Sequence, residues 1–339
     1  MTPDLPPALR AAAERLMQGV SRAGLAERAG EISRAYRGRQ GSAGVVKDQA
    51  GATAYVLARL PATYAACARA FDEVAQRAPG FAPNTLLDAG AGPGGAGWAA
   101  LETWPEISGA VLLDSNRAFL EMAGRLAEDG PDPLTGAERR IGDLAAPKDW
   151  PSADLVVASY ALAEIAAARQ AETIGGLWAA TTGVLILVEP GTPDGFARLR
   201  AARDLLIGEG AAILAPCPHA QACPLVEPDW CHFVQRLPRS RDHRLAKGAD
   251  APFEDEKFIY LAVARPGVTL EPATPRVLAP PRIQKPAITL KLCTPEGAVE
   301  MREIAKRDKA AFASVRRLDW GDSLPLPAGG ASEGGGAGD

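Results

Sequence analysis

Two groups of residues in this 339-residue chain have types and spacing suited to chemistry. The first is a thiol set, Cys217-x5-Cys223-x7-Cys231 with Cys293 further on; the second is a glycine-rich turn, Asp88-Ala89-Gly90-Ala91-Gly92-Pro93-Gly94-Gly95. Thiolates ligate metals or act as nucleophiles. Glycines let a backbone turn sharply and bring its amides against a ligand. In a reducing compartment, clustered cysteines point to metal ligation or catalysis rather than to disulfides. The remaining cysteine, Cys67, stands apart and reads as a small buried side chain.

Three thiols on one segment and a fourth from a distant strand must be collected by folding. Zinc sites favour Cys-x2-4-Cys pairs, because a short turn presents two sulfurs tetrahedrally. Gaps of five and seven do not follow that habit and suit a cuboidal 4Fe–4S unit, in which each of four thiolates holds one iron. Pro218 and Pro224 follow two of the cysteines. His219 and His232 keep a Cys3His zinc site open as the alternative, and coincidental buried thiols remain the bland reading.

The glycine turn follows an apolar pair, Leu86-Leu87, and opens on Asp88. Its Asp-x-Gly-x-Gly-x-Gly form, with Gly90, Gly92 and Gly94, resembles class I S-adenosylmethionine-dependent methyltransferases. Gly90-x-Gly92-x-x-Gly95 also satisfies the dinucleotide fingerprint; the acid that begins the loop favours S-adenosylmethionine. Asp114 ends the next apolar run, where a carboxylate can accept ribose hydroxyls. Asp143 precedes the following run, at a place suited to an adenine amino group. Either acid could instead cap a helix or face water. No catalytic residue is identified. Ser159-Tyr160-Ala161-Leu162 stands where amino-directed nucleic-acid methyltransferases carry an Asn-Pro-Pro-Tyr type sequence. Glu164 and Glu189 stand near strand ends and could face the cleft; they read as helix or loop carboxylates in water rather than as general bases.

The elements that must position these groups are legible as periodicity. Residues 7–36 and 47–78 carry apolar residues at three- and four-residue spacing, with Pro61 opening a new helix after Leu60. From Thr85, short apolar runs at 86–87, 110–113, 155–158 and 184–188 alternate with helical segments at 95–104, 116–128, 162–182 and 193–208. This predicts an α/β fold, a Rossmann-like doubly wound parallel sheet covered on both faces. Phe258–Ala264 reads as a late strand returning to that sheet. The expected organisation is a helical N-terminal region at 1–80, a methyltransferase-type domain at 81–265 with a cysteine-rich insertion at 215–250, a small β-containing module at 266–326, and a disordered tail at 327–339.

Composition is that of a soluble globular protein, 47% hydrophobic and 23% charged. The chain has no run of eighteen apolar residues and no compact apolar leader near Asp4 and Glu14, so the expectation is a cytoplasmic protein with no membrane segment. A monomer is expected. The net charge is −4, yet residues 217–325 hold 17 Lys and Arg against 14 Asp and Glu. Their densest stretch, Arg236, Arg239, Arg241, Arg244 and Lys247, could line nucleic-acid phosphates or be a solvated loop.

Beyond these patterns, Cys217-Pro218-His219, Cys223-Pro224-Leu225, Trp230-Cys231-His232-Phe233, Gln235-Arg236-Leu237, Glu254-Asp255-Glu256-Lys257-Phe258-x-Tyr260 and the closing Trp320-Gly321-Asp322 resemble the mitochondrial small-subunit ribosomal assembly methyltransferase-like family and its bacterial relatives. Tyr55 to Tyr64 and the glycine loop extend the resemblance over nearly the whole chain. It implies S-adenosylmethionine at Asp88, Gly90, Gly92 and Asp114, a 4Fe–4S cluster on Cys217, Cys223, Cys231 and Cys293, and action on small ribosomal subunit RNA. Three readings follow: an assembly factor that binds the cofactor without turnover, an active rRNA methyltransferase, or a small-molecule methyltransferase with a structural zinc.

Overall fold

The computed structural model describes residues 4–37, 45–241, 243–244 and 250–325. Lys247 and the expected tail lie outside the described residues.

Four helices open the chain: α1 (Pro7–Met17), α2 (Arg22–Arg37), α3 (Gln49–Ala58) and α4 (Leu60–Arg77). Asp48 caps α3 by accepting the Gly51 amide, and Pro61 sits in the first turn of α4, where its missing N–H costs nothing. Alternation of strand and helix then begins: β1 (Thr85–Ala89), α5 (Gly95–Thr103), β2 (Gly109–Asp114), α6 (Arg117–Ala127), α7 (Asp132–Thr135), β3 (Glu138–Ile141), β4 (Ala153–Ser159), α8 (Ala167–Ala180), β5 (Thr181–Pro190) and α9 (Pro193–Gly208). Three more strands complete the main sheet: β6 (Ala212–Ala215), β7 (Phe233–Pro238) and β8 (Phe253–Ala264).

The strand order is β3-β2-β1-β4-β5-β8-β6, with β7 on the outer part of β8. Strands β1 to β5 are parallel; β8 runs antiparallel between β5 and β6. A reversal beside β1 with one antiparallel strand near the far edge is the Rossmann-like order of class I methyltransferases. Side chains alternate between the two faces. Leu155, Val157, Val184, Ile186, Tyr260 and Ala262 pack into the core under the N-terminal helices. Val156, Ala158, Leu185, Leu187, Leu261 and Val263 pack into the opposite core. Sandwiching on both faces is why these strands read as continuous apolar runs.

A second, antiparallel sheet follows, built from β9 (Arg276–Val277), β10 (Arg282–Ile283), β11 (Ala287–Cys293) and β12 (Val299–Ala305), with α10 (Lys309–Val315) against it. Ile288, Leu290, Leu292, Val277 and Val315 form its core. Cys293 ends β11 and so delivers its thiol from this sheet to the main body. Among the described residues, no helix is long and apolar enough to cross a membrane.

Two sequence expectations need correction. The basic segment after Cys231 is no plain loop: residues 233–238 are a strand, held by β8 with Arg236 opposite Asp255 and Leu237 opposite Glu254. The single helix expected over 162–182 is a short 3-10 turn, Leu162–Glu164, followed by α8 and the start of β5.

Candidate functional site: a glycine cradle and a cavity of four thiols

The β1–α5 turn is built around left-handed glycines. Gly90 has φ +76°, and a Cβ there would stand 2.7 Å from the Ala161 Cβ, so only glycine fits. Gly92 has φ +54°, and its missing Cβ would meet nothing within 4 Å, which leaves space where a ligand can approach the backbone. Gly94, also left-handed, is the N-cap of α5. The amides of Gly90 and Ala91 both donate to the Leu113 carbonyl at 2.7 and 3.0 Å, which fastens the turn to β2.

Asp88 is fully buried; one carboxylate oxygen accepts the Gly97 amide at 3.1 Å, and the other has no partner. Burial pushes its carboxyl up to about 7, with the Gly97 bond opposing and the nearby Asp114 adding to the rise. An orphaned buried oxygen beside the turn is a place for a ligand cation or donor. Asp114 accepts the Gly92 amide at 2.8 Å and the Asn116 amide at 2.7 Å, and burial raises its carboxyl. Beyond the Asn116, Gly92 and Ser115 amides, the carboxylate keeps acceptor capacity for a ribose hydroxyl. Asp143 is exposed and accepts the Ala145 amide at 2.8 Å, shaping the turn after β3.

The ends of β4 and β5 hold two groups that sequence reasoning misjudged or missed. Glu189 is not in water: it is fully buried and accepts the Arg198 Nε at 2.8 Å, with its carboxyl raised by burial against the pull of Arg198. Tyr160, directly after β4, has φ +56°, a strained backbone for a bulky residue. Its hydroxyl donates to Glu256 at 2.9 Å, and Glu256 pairs with Arg59 at 3.2 Å. Burial, and then Glu256, hold the Tyr160 hydroxyl well above its ordinary range.

All four C-terminal cysteines line one cavity of about 40 Å3 between α9, β8 and the start of the second sheet. Burial lifts the Cys293 thiol to about 12, with Cys217 and Cys223 adding to the rise, and it holds Cys231 well above its usual value, with the other three thiols contributing. Cys217 is raised by burial and pulled back by the neighbouring Arg203. Cys217, Cys231 and Cys293 resist ionisation, and a metal centre would deprotonate the thiols it binds. Among the described residues, no three His, Cys, Asp or Glu side chains are grouped tightly enough to hold one metal ion.

Three arginines line this cavity: the exposed Arg200, and the buried Arg203 and Arg276, which no local pattern announced. Arg203, 3% exposed, donates to the carbonyls of His219 and Gln221 at 2.9 and 2.7 Å, while its Nε has no partner. Arg276, equally buried, donates to the Pro216 carbonyl at 3.1 Å and the Gly321 carbonyl at 2.7 Å and pairs with Glu73. His219 lines the cavity with its Nε2 3.4 Å from the Cys293 sulfur and its Nδ1 unpartnered. His232 does not line it: the ring stacks on Trp230 at 5.0 Å and meets Trp320 edge-on at 4.5 Å.

The arginines read as an RNA contact are largely engaged at home. Arg236 donates from Nε and a terminal nitrogen to Asp255 at 2.7 and 2.8 Å and lies 4.1 Å over the Phe253 ring. Arg239 bonds Glu254 at 3.2 Å. Arg241 is exposed and Arg244 half-buried. Glu254, Asp255 and Glu256 thus neutralise Arg239, Arg236 and Arg59 in turn.

The human mitochondrial ribosome assembly protein METTL17 is 30% identical over 289 residues, covering 80% of this chain and 62% of the relative. Rsm22-cox11 tandem protein 2, mitochondrial, of Schizosaccharomyces pombe is 25% identical over 292 residues, covering 71% of this chain and 38% of the relative. The chain therefore spans less than two thirds of either relative. Among solved structures, magnesium protoporphyrin IX methyltransferase from Synechocystis overlays with a TM-score of 0.39 at 15% identity, over 60% of this chain and 80% of that one. An O-methyltransferase family protein from Burkholderia thailandensis gives 0.41 at 18%, over 54% and 62%. Residues 49–325 match the family described as mitochondrial small ribosomal subunit Rsm22, and the chain belongs to that family.

Proposed function

We propose that this protein is an S-adenosylmethionine-binding, iron–sulfur-containing factor that acts on small ribosomal subunit RNA in ribosome assembly or translation, without methyl-transfer turnover. The observation that carries the reading is the convergence of Cys217, Cys223, Cys231 and Cys293 on one cavity in a member of this family. The donor set, four thiols with the His219 imidazole and no carboxylate, fits a cluster held by the thiols, with two buried guanidiniums beside them to offset an anionic centre. Four thiols that line one void without closing on a single point suit a polynuclear centre. A single zinc would draw each sulfur to about 2.3 Å. The cluster would serve as a brace for the loop between β6 and β7, or as an oxygen sensor.

The orphaned Asp88 oxygen, the open face of Gly92 and the strand-end Asp114 fit S-adenosylmethionine, with Asp143 at the adenine side. The cofactor supplies an activated methyl group when bound. What this chain offers an acceptor is poor: Tyr160, at the end of β4, is locked to Glu256 and holds its proton. That favours a cofactor which tunes conformation. An active rRNA methyltransferase is the second reading, supported by the otherwise complete cradle. The cell compartment we assign is the cytoplasm, and the working form a monomer that docks on the subunit.

Iron, sulfide and zinc content with an absorption spectrum, on anaerobically purified protein and on Cys293→Ser, tests the metal reading. About four irons with broad visible absorption, lost in the variant, are expected; one zinc and no colour would overturn it. Incubation of the holoprotein with labelled S-adenosylmethionine and small-subunit RNA tests turnover, and transfer of label would establish the second reading.

A further inference from the structure

An acidic chain meets a polyanion only through a local patch of opposite charge. Arg236 and Arg239 are poor candidates, since each already has a carboxylate.

A different surface carries uncompensated charge. The register places Ala287, at the start of β11, opposite Ala305, at the end of β12. The Lys306 amide donates to the Pro286 carbonyl at 2.8 Å, and the Gln284 amide closes the β10–β11 turn on Ala287 at 3.0 Å. Two turns distant in sequence therefore meet at one end of the small sheet. Arg282 and Lys285 come from the first; Lys306, Arg307 and Lys309 come from the second. All five are exposed, and none has an ion pair among the described residues. Two carboxylates stand near. Asp308 is occupied as the cap of α10, accepting the Ala311 amide at 3.1 Å, and Glu303 lies on β12 across from Thr289. Ile283, 68% exposed, adds an apolar contact amid the charge.

We propose that this end of the small sheet, and not the β7–β8 hairpin, grips the phosphate backbone of RNA. The inference rests on the RNA-directed reading above and locates its contact. Convergence from two turns gives a two-dimensional array of cations, which matches a path of phosphates better than a single run along a strand. It also puts the RNA-binding face on the sheet that delivers Cys293 to the thiol cavity.

The test is binding of the full-length protein to an in vitro transcript of small-subunit RNA across a salt series. Every phosphate that the protein no longer neutralises lowers the slope of log affinity against log salt by roughly 0.7 to 0.9. The triple variant Lys306→Gln, Arg307→Gln, Lys309→Gln should lose roughly 2 in slope and bind at least about tenfold more weakly at low salt. Arg282→Gln with Lys285→Gln, from the other turn, should fall in the same way, and thermal melts establish that both variants are folded. Arg236→Gln with Arg239→Gln should keep the wild-type slope. Wild-type binding by both sheet-end variants would overturn the assignment and leave the RNA reading intact, as would a weakening confined to the hairpin variant. No RNA binding by the wild type, with or without binding to polyglutamate, would overturn both.

Discussion

Arg276 and Glu73, 203 residues apart, form a buried ion pair that ties α4 to the first strand of the second sheet. The same guanidinium holds the Pro216 carbonyl at the entrance to the cysteine loop and the Gly321 carbonyl in the closing Trp320-Gly321-Asp322. Asp322 in turn binds Arg69, one helical turn before Glu73, at 2.7 Å. Arg276→Met should therefore destabilise the whole chain. Breaking a buried pair from one side costs about 3 to 5 kcal/mol, and because Arg69 still faces Glu73, the lower end is expected. Denaturant unfolding measures it, and Glu73→Gln in the Arg276→Met background should recover part of the loss.

Asp88 gives a pH signature. Its carboxyl rises from 3.8 unfolded to about 7 folded, so between those values the folded chain keeps a proton that the unfolded chain releases. Stability must then fall as pH rises through that window, with the cost fully present above about 7 and absent below about 4. Asp88→Asn removes this slope, and thermal melts should show the variant more stable than wild type at pH 8 and equal to it near pH 4. Calorimetric titration with S-adenosylmethionine should show wild-type affinity rising toward pH 7, as an ionised Asp88 becomes available to the ligand's ammonium, and weakened binding in the variant.

Two glycines separate stability from binding. Gly90→Ala meets both a positive φ and a close contact with Ala161, and should cost about 2 kcal/mol or more. Gly92→Ala meets only the positive φ, about 1 kcal/mol, and places its methyl in open space. Gly92→Ala should therefore fold nearly normally and fail to bind the nucleoside, which melting and ligand titration read independently.

Arg203→Met leaves the carbonyls of His219 and Gln221 without their donor, a loss of about 2 kcal/mol. It also removes a cation beside the thiols. With a cluster present, the reduction potential should move to more negative values, because a nearby positive charge favours the reduced, more anionic state. Arg203→Lys should restore part of the potential but little of the two-carbonyl clasp.

The parallel strands were legible because both faces are covered, which turns β4 and β5 into unbroken apolar runs. β3 was not, since Glu138-Arg139-Arg140-Ile141 is a mostly exposed edge strand with no such run. The turn from Asp88 to Gly94 announced itself because left-handed backbone demands glycine at fixed positions. Nothing local marks Arg203, Arg276 or Glu73, since charged residues are buried only when distant partners meet them. The same blindness made Arg236 and Arg239 look available: the acids that neutralise them follow 19 and 15 residues later, and only the β7–β8 register brings them across.

The thiol cavity also has a timetable. Cys217, Cys223 and Cys231 leave the ribosome as one batch, but the wall that Cys293 supplies is translated 62 residues later, a delay of roughly 3 to 12 s at ordinary elongation rates. Until then β11 does not exist, and neither does the partner for Asp229 that Lys291 provides from that strand. A chain that terminates early therefore presents three thiols and an open pocket. The four-thiol cavity therefore cannot close before β11 is made, and only a chain that extends past Cys293 can carry whatever the four cysteines hold.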